Sequence, residues 1–203
     1  MSNTNDPLGN KLEIMLEPGN LYLTDYAISR LPSDAPMLEI GSFCDLSTNI
    51  LTHYEHKHRR NNPLFSCDKW EFENRSGSSI GDSSVSFDRY KQFVRDWFLR
   101  NIRTFSEHDL PFTIELFSSE FFDIWKREEA ARDVFDRGVP LGGPLGFCYV
   151  DGNHTHEGAK RDFENCDAST LPAGRRIHSI RRLNRPGFWR LSSHAGSACN
   201  RTL

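Results

Sequence analysis

Three short apolar runs constrain this chain more than any other feature. They are residues 37–41 (MLEIG), 63–68 (PLFSCD) and 146–151 (GFCYVD), and each ends in glycine or aspartate. A run of this length that empties into Gly or Asp reads as a buried strand whose carboxyl end opens into a loop. Residues 112–117 (FTIELF), followed by Ser118 and Ser119, are a fourth candidate. Helical patterns lie between the runs. In residues 86–105, Tyr90, Phe93, Val94, Trp97, Phe98, Ile102 and Phe105 recur at three- and four-residue steps and form one apolar face. Residues 20–31, 46–58, 119–132 and 155–166 also read as helices, the last with Thr155 as cap and Glu157 in its first turn. Strand and helix in alternation predict an α/β domain with a doubly wound, mostly parallel sheet. Residues 75–84 (RSGSSIGDSS) and 137–144 (RGVPLGGP) read as loops.

The chain is 203 residues long and 37 % hydrophobic, enough for one domain with a core of its own. A net charge of −3 removes the default case for a nucleic-acid surface. No apolar run approaches the roughly 18 residues of a membrane span. The amino terminus (MSNTNDPLGNKLE) has no basic segment followed by an apolar one, so the expectation is a cytoplasmic protein without a leader. Five cysteines, an odd number with no CxxC pair, support neither a disulfide framework nor a zinc knuckle.

Ligands of doubly wound sheets sit beyond the carboxyl ends of the strands, so the strand tips hold the candidate site. At the first tip, Glu39 is placed to meet a hydroxyl or ammonium group. Gly41 turns the chain so that backbone can approach a ligand. Ser42 and Phe43 follow in the turn, where amides near a helix start offer donors and partial positive charge. The spacing is not GxGxxG, which argues against a dinucleotide site. At the second tip Asp68, in CDKW, can accept the hydroxyls of a ribose. At the fourth tip the stretch DGNHTHE begins with Asp151, a candidate oxygen ligand for a hard divalent cation. His154 within it is a candidate general base or substrate contact. Asp162 and Glu164 read as a solvated helix face.

MLEIGSFCDLST, the acid in SCDKW and the stretch FCYVDGNHTHEGAKRDFENCDASTLPAG together resemble the class I S-adenosylmethionine-dependent methyltransferases. Within that class the chain is similar to the small-molecule O-methyltransferases and cephalosporin-hydroxylase-like proteins. The resemblance runs from Met37 to Gly174. It implies a Rossmann-like fold, in which Glu39 and Gly41 hold the methionine part of the cofactor and Asp68 the ribose. It further implies that Ser118 or Ser119 lies near the adenine, that Asp151 binds Mg2+ or another divalent cation in metal-dependent members, and that His154 stands beside the active site. The implied partner is a small-molecule methyl acceptor. The insert at residues 70–84 and the aromatic helix after it are expected to shape its pocket. The reading leaves room for a homo-oligomer.

Two departures bear on activity. Asp45 stands where the family has glycine, and no acid pair follows Gly174 to complete a metal site. Residues 175–203 carry seven Arg, no Lys and no acid. The expected organisation is an incomplete domain over residues 1–174 whose sheet lacks its last strands, followed by an irregular Arg-rich tail. In the neighbouring reading frame, codon choices exist for this tail that spell a glycine turn, a short strand ending in an acid pair, and a helical pattern. The expectation is therefore a truncation or frameshift after Gly174, which the nucleotide sequence of the gene decides. The competing expectation is a non-catalytic or vestigial nucleoside-binding domain.

Overall fold

The computed structural model describes residues 18–71, 79 and 84–169, together with the backbone of 178–182 and 189–193. Most of the Gly/Ser loop expected over residues 75–84, the N-terminal segment and most of the tail lie outside the described residues.

Chain order runs α1 (Pro18–Ser29), β1 (Met37–Ile40), α2 (Leu46–Lys57), β2 (Leu64–Cys67), α3 (Phe87–Phe105), β3 (Phe112–Ile114) and α4 (Ser118–Arg127). It continues with β4 (Ala130–Arg132), β5 (Gly138–Pro140), β6 (Phe147–Val150), α5 (His156–Ala168), β7 (His178–Arg182) and β8 (Trp189–Ser193). The main sheet has the order β3-β2-β1-β6-β7-β8. Its first five strands are parallel, and β8 pairs antiparallel with β7. This is the α/β, Rossmann-like arrangement. Strand order reverses at β1, which lies between β2 and β6, and that reversal makes the crevice where such sheets take ligands.

The four residues of each of β1, β2 and β6 are buried, as strands covered on both faces must be. Alternation still divides them between two cores. Leu38, Ile40, Phe65, Cys148 and Val150 pack with Phe121, Phe122 and Trp125 of α4. Met37, Leu64, Phe147 and Tyr149 pack with Ala27 and Ile28 of α1 and Leu51 of α2. Residue 39 therefore points into the α1–α2 side.

Local chemistry sets several helix ends. The Ser86 hydroxyl accepts the Arg89 amide at 3.3 Å, and Thr155 accepts the Gly158 amide at 3.0 Å. The Glu120 carboxylate reaches back to the Phe117 amide at 2.9 Å. No described helix is long and apolar enough to cross a membrane.

Four expectations are corrected. The helix expected over 119–132 stops at Arg127, because Glu128 turns left-handed at φ 54° and its amide closes the helix end. Residues 130–132 become β4 and pair with β5, inside the expected loop 137–144. The tail is not irregular throughout and the sheet does not end at β6: β7 and β8 extend it. Backbone pairing of this kind leaves no long apolar run in the sequence to reveal it. Asp162 is not solvated. It is fully buried and accepts the Ser118 hydroxyl at 2.6 Å, joining α5 to the start of α4.

The expected single face of α3 also divides. Val94, Phe98 and Ile102 are buried against Trp70, whereas Phe93, Trp97 and Phe105 are exposed. The stripe is wider than the surface it covers.

Candidate functional site

The tips of β1, β2 and β6 stand side by side. Ile40 pairs with Cys67 on one side and with Val150 on the other. Gly41, Asp68 and Asp151 are the next residues along each strand, so three of the residues singled out in the sequence meet at the crevice.

Gly41 has φ +85°, and a Cβ built on it would lie 2.4 Å from the Asp151 carbonyl oxygen and 2.6 Å from Gly152 Cα. The close approach that requires glycine here is therefore between the chain's own loops. Phe43 (φ 45°) and Asp45 (φ 93°) are left-handed as well. Every second residue from 41 to 45 thus takes a conformation that only glycine adopts without strain. The absence of glycine at Asp45 leaves this backbone path intact and adds strain to it.

The loop is held from several directions. Asp68 Oδ2 accepts the amides of Ser42 (2.9 Å) and Phe43 (2.8 Å), and its Oδ1 accepts the Trp70 amide at 2.6 Å. Trp70 Nε1 donates to the Phe43 carbonyl at 2.9 Å. From α3, the Asn101 side chain donates to Asp45 Oδ1 at 3.0 Å and to the Cys44 carbonyl at 3.3 Å. Asn49 also donates to Asp45. Asn101 and Asn49 were not singled out from the sequence. Asn101 is one of many polar residues on the amphipathic α3, so nothing in the sequence sets it apart.

These contacts shape the acids. Burial pushes the Asp68 carboxyl up, against the pull of its three amides. Burial pushes Asp45 up to about 6, with Asn101 and Asn49 opposing. A carboxylate offers about four acceptor positions, and Asp68 has committed three of them.

Glu39 is fully buried and lies opposite Ser66 in register. Its Oε2 accepts the hydroxyls of Thr48 (2.5 Å) and Ser66 (2.8 Å), while Oε1 accepts none. Burial raises its pKa to about 7, with the nearby Ser47, Thr48 and Ser66 hydroxyls opposing. The side chain is thus enclosed beside Ser66 of β2 and Thr48 of α2, with Oε1 left without a hydrogen bond.

His154 lies in the loop between β6 and α5, with 56 % of its side chain exposed and Nε2 3.7 Å from Asp151 Oδ1. Ser118 is buried and its hydroxyl donates to Asp162 at 2.6 Å.

The chain superposes on the O-methyltransferase TomG from Streptomyces achromogenes, solved in complex with SAM, with a TM-score of 0.52. Identity is 13 %, and the match covers 81 % of this chain and 56 % of that one. It superposes equally on cofactor-bound Rv0187 from MTB, with a TM-score of 0.52 and 11 % identity over 83 % of this chain and 57 % of that one. The chain has the fold of the S-adenosylmethionine-dependent methyltransferases. It spans a little over half the length of these two structures. No protein-family model matches the sequence, and no curated protein does.

The two groups that the sequence resemblance implies differ in how they fit these strand tips. For S-adenosylmethionine the residues fit: a buried acid with an unused oxygen at the first tip, a left-handed loop, and an acid at the second tip. For the divalent cation they do not fit. Among the described residues, no group of three potential ligands includes Asp151.

Proposed function

We propose that this chain binds S-adenosylmethionine in the crevice between β1 and β6 and transfers its methyl group to the oxygen of a small molecule. The observation that carries the reading is the meeting of Gly41, Asp68 and Asp151 at three adjoining strand tips where the sheet order reverses. The fold shared with TomG, whose structure holds SAM, supports it.

In this reading Glu39 faces the methionine ammonium through Oε1, and the one acceptor position left on Asp68 takes a ribose hydroxyl. The bound cofactor supplies an electrophilic methyl group on a positively charged sulfur. The chain's part is to hold the acceptor in line with that methyl, which is a large share of the rate advantage in such a transfer. His154, exposed at the rim and steered by Asp151, takes the acceptor hydroxyl's proton as its oxygen bonds to carbon. No step is assigned to a metal.

Titration calorimetry of the full chain with S-adenosylmethionine tests the reading. Asp68→Asn keeps one acceptor oxygen and replaces the other with a donor. It is expected to weaken binding about tenfold, the loss of roughly one charge-assisted hydrogen bond. Unchanged affinity would remove Asp68 from the site. Asp45→Gly is expected to tighten binding about fivefold. It removes a carboxylate from beside the cofactor's own carboxylate, a repulsion of about 1 kcal/mol at close range in water. It also relieves a φ of 93°.

A second reading, a nucleoside-binding domain without turnover, is favoured by the internal hydrogen bonds that already engage Asp45, Asp68 and Glu39. Binding of S-adenosylmethionine without methyl transfer to any of a panel of catechols, phenols and hydroxy acids would select it.

A further inference from the structure

The opposite end of the sheet carries a second cluster of chemistry-bearing groups. A cavity of about 230 Å³ opens at the amino ends of β2 and β3, lined by Thr52, Glu55, Asn62, His108, Asp109 and Arg137 among others. Glu55 and His56 lie in the last turns of α2, and Asp109 follows α3. Glu55 Oε2, His56 Nε2 and Asp109 Oδ2 can approach a common centre, all lying within 4.8 Å of one another.

Two further observations raise this above a chance grouping of charges. The Glu55 side chain is only 7 % exposed, lines the cavity, and its Oε2 accepts no hydrogen bond. A buried carboxylate oxygen left in this state is costly unless a cation meets it. The spacing is also that of a ligand set. His56 Nε2 lies 3.2 Å from Asp109 Oδ2 and 3.6 Å from Glu55 Oε2. Ligand atoms about 2.0 Å from a tetrahedral zinc ion stand about 3.3 Å apart. The carbonyl end of α2 adds partial negative charge to the same place.

We propose that Glu55, His56 and Asp109 form a binding site for a zinc-class divalent cation, with its open coordination position facing the cavity. One imidazole and two carboxylates suit such an ion. Three protein ligands leave the fourth position to water or to a small ligand, as in zinc sites that do chemistry. The rival arrangement is His56 bridging the two carboxylates with no ion. The proposal is independent of the cofactor reading, because the strand tips lie at the other end of the sheet.

The test is a zinc titration of the full chain, stripped of metal and followed by calorimetry with a competing chelator. The expected result is one zinc per chain, with affinity reduced roughly tenfold or more in His56→Ala and in Asp109→Asn. Both positions are more than half exposed, so both variants should keep the far-ultraviolet circular dichroism of the parent. A double variant, Asp151→Asn with His154→Ala, should bind zinc as the parent does, which excludes the strand tips as the source. Absence of stoichiometric binding, or parental affinity in both His56→Ala and Asp109→Asn, overturns the proposal. So does the loss of binding in the strand-tip variant alone.

Discussion

Gly41→Ala is expected to lower the stability of the chain by more than about 3 kcal/mol, through backbone conflict and not through lost packing. The added methyl would lie 2.4 Å from the Asp151 carbonyl oxygen and 2.6 Å from its carbon. Neither atom belongs to a flexible side chain that could swing away. Moving the first tip breaks the bond from the Gly41 amide to the Cys67 carbonyl (2.9 Å), and moving the third breaks that from the Asp151 amide to the Ile40 carbonyl (2.8 Å). Each such bond contributes about 1 kcal/mol net. The φ of +85° adds a further cost of roughly 1–2 kcal/mol for any residue with a Cβ. Gly138→Ala is the control: nothing lies within 4 Å of its Cβ position, and its unfolding midpoint in urea should match the parent's. A midpoint for Gly41→Ala within error of that control would show that the three tips do not meet as described.

Glu39→Gln is expected to act in the opposite direction. The folded state holds the Glu39 proton up to about pH 7, whereas a free carboxyl of this kind releases it near 4.5. Between those two values the folded chain binds more protons than the unfolded one, so this side chain's contribution to stability falls as pH rises. It is complete below pH 4.5 and lost above 7. The whole change is roughly 3 kcal/mol. Glutamine keeps a carbonyl oxygen for the hydroxyls of Thr48 and Ser66 and carries no charge to bury. The variant should therefore be more stable than the parent at pH 8 by roughly 3 kcal/mol. It should equal the parent near pH 4.5 and show a flatter profile between. Urea unfolding across that range reads all three. Identical pH slopes would mean that Glu39 is not the group responsible. Affinity for S-adenosylmethionine should move the other way, since glutamine offers no charge to an ammonium. Stability that rises while affinity falls separates a ligand contact from a packing residue.

What the sequence made legible was local. The strand runs ending in Gly or Asp, the cap at Thr155, and the apolar spacing of Val94, Phe98 and Ile102 all depend on neighbours a few residues away. What it hid depends on distant partners. The Asp68 carboxylate is spoken for by amides 25 and 26 positions earlier, and Asp162 by a hydroxyl 44 positions away. A surface acid and a buried one look alike until the fold brings their donors to them. The β4–β5 hairpin and the β7–β8 pair escaped notice for a related reason. Their pairing is carried by peptide groups, which every residue has.

The left-handed loop with its anchors on Asp68, Trp70 and Asn101 makes the crevice a latch that the protein has already closed on itself. A newcomer at Asp68 finds a single acceptor position beside three that amides already hold. The shape of that opening is set by the protein before anything arrives. Molecules that present one donor there are selected over those that need two.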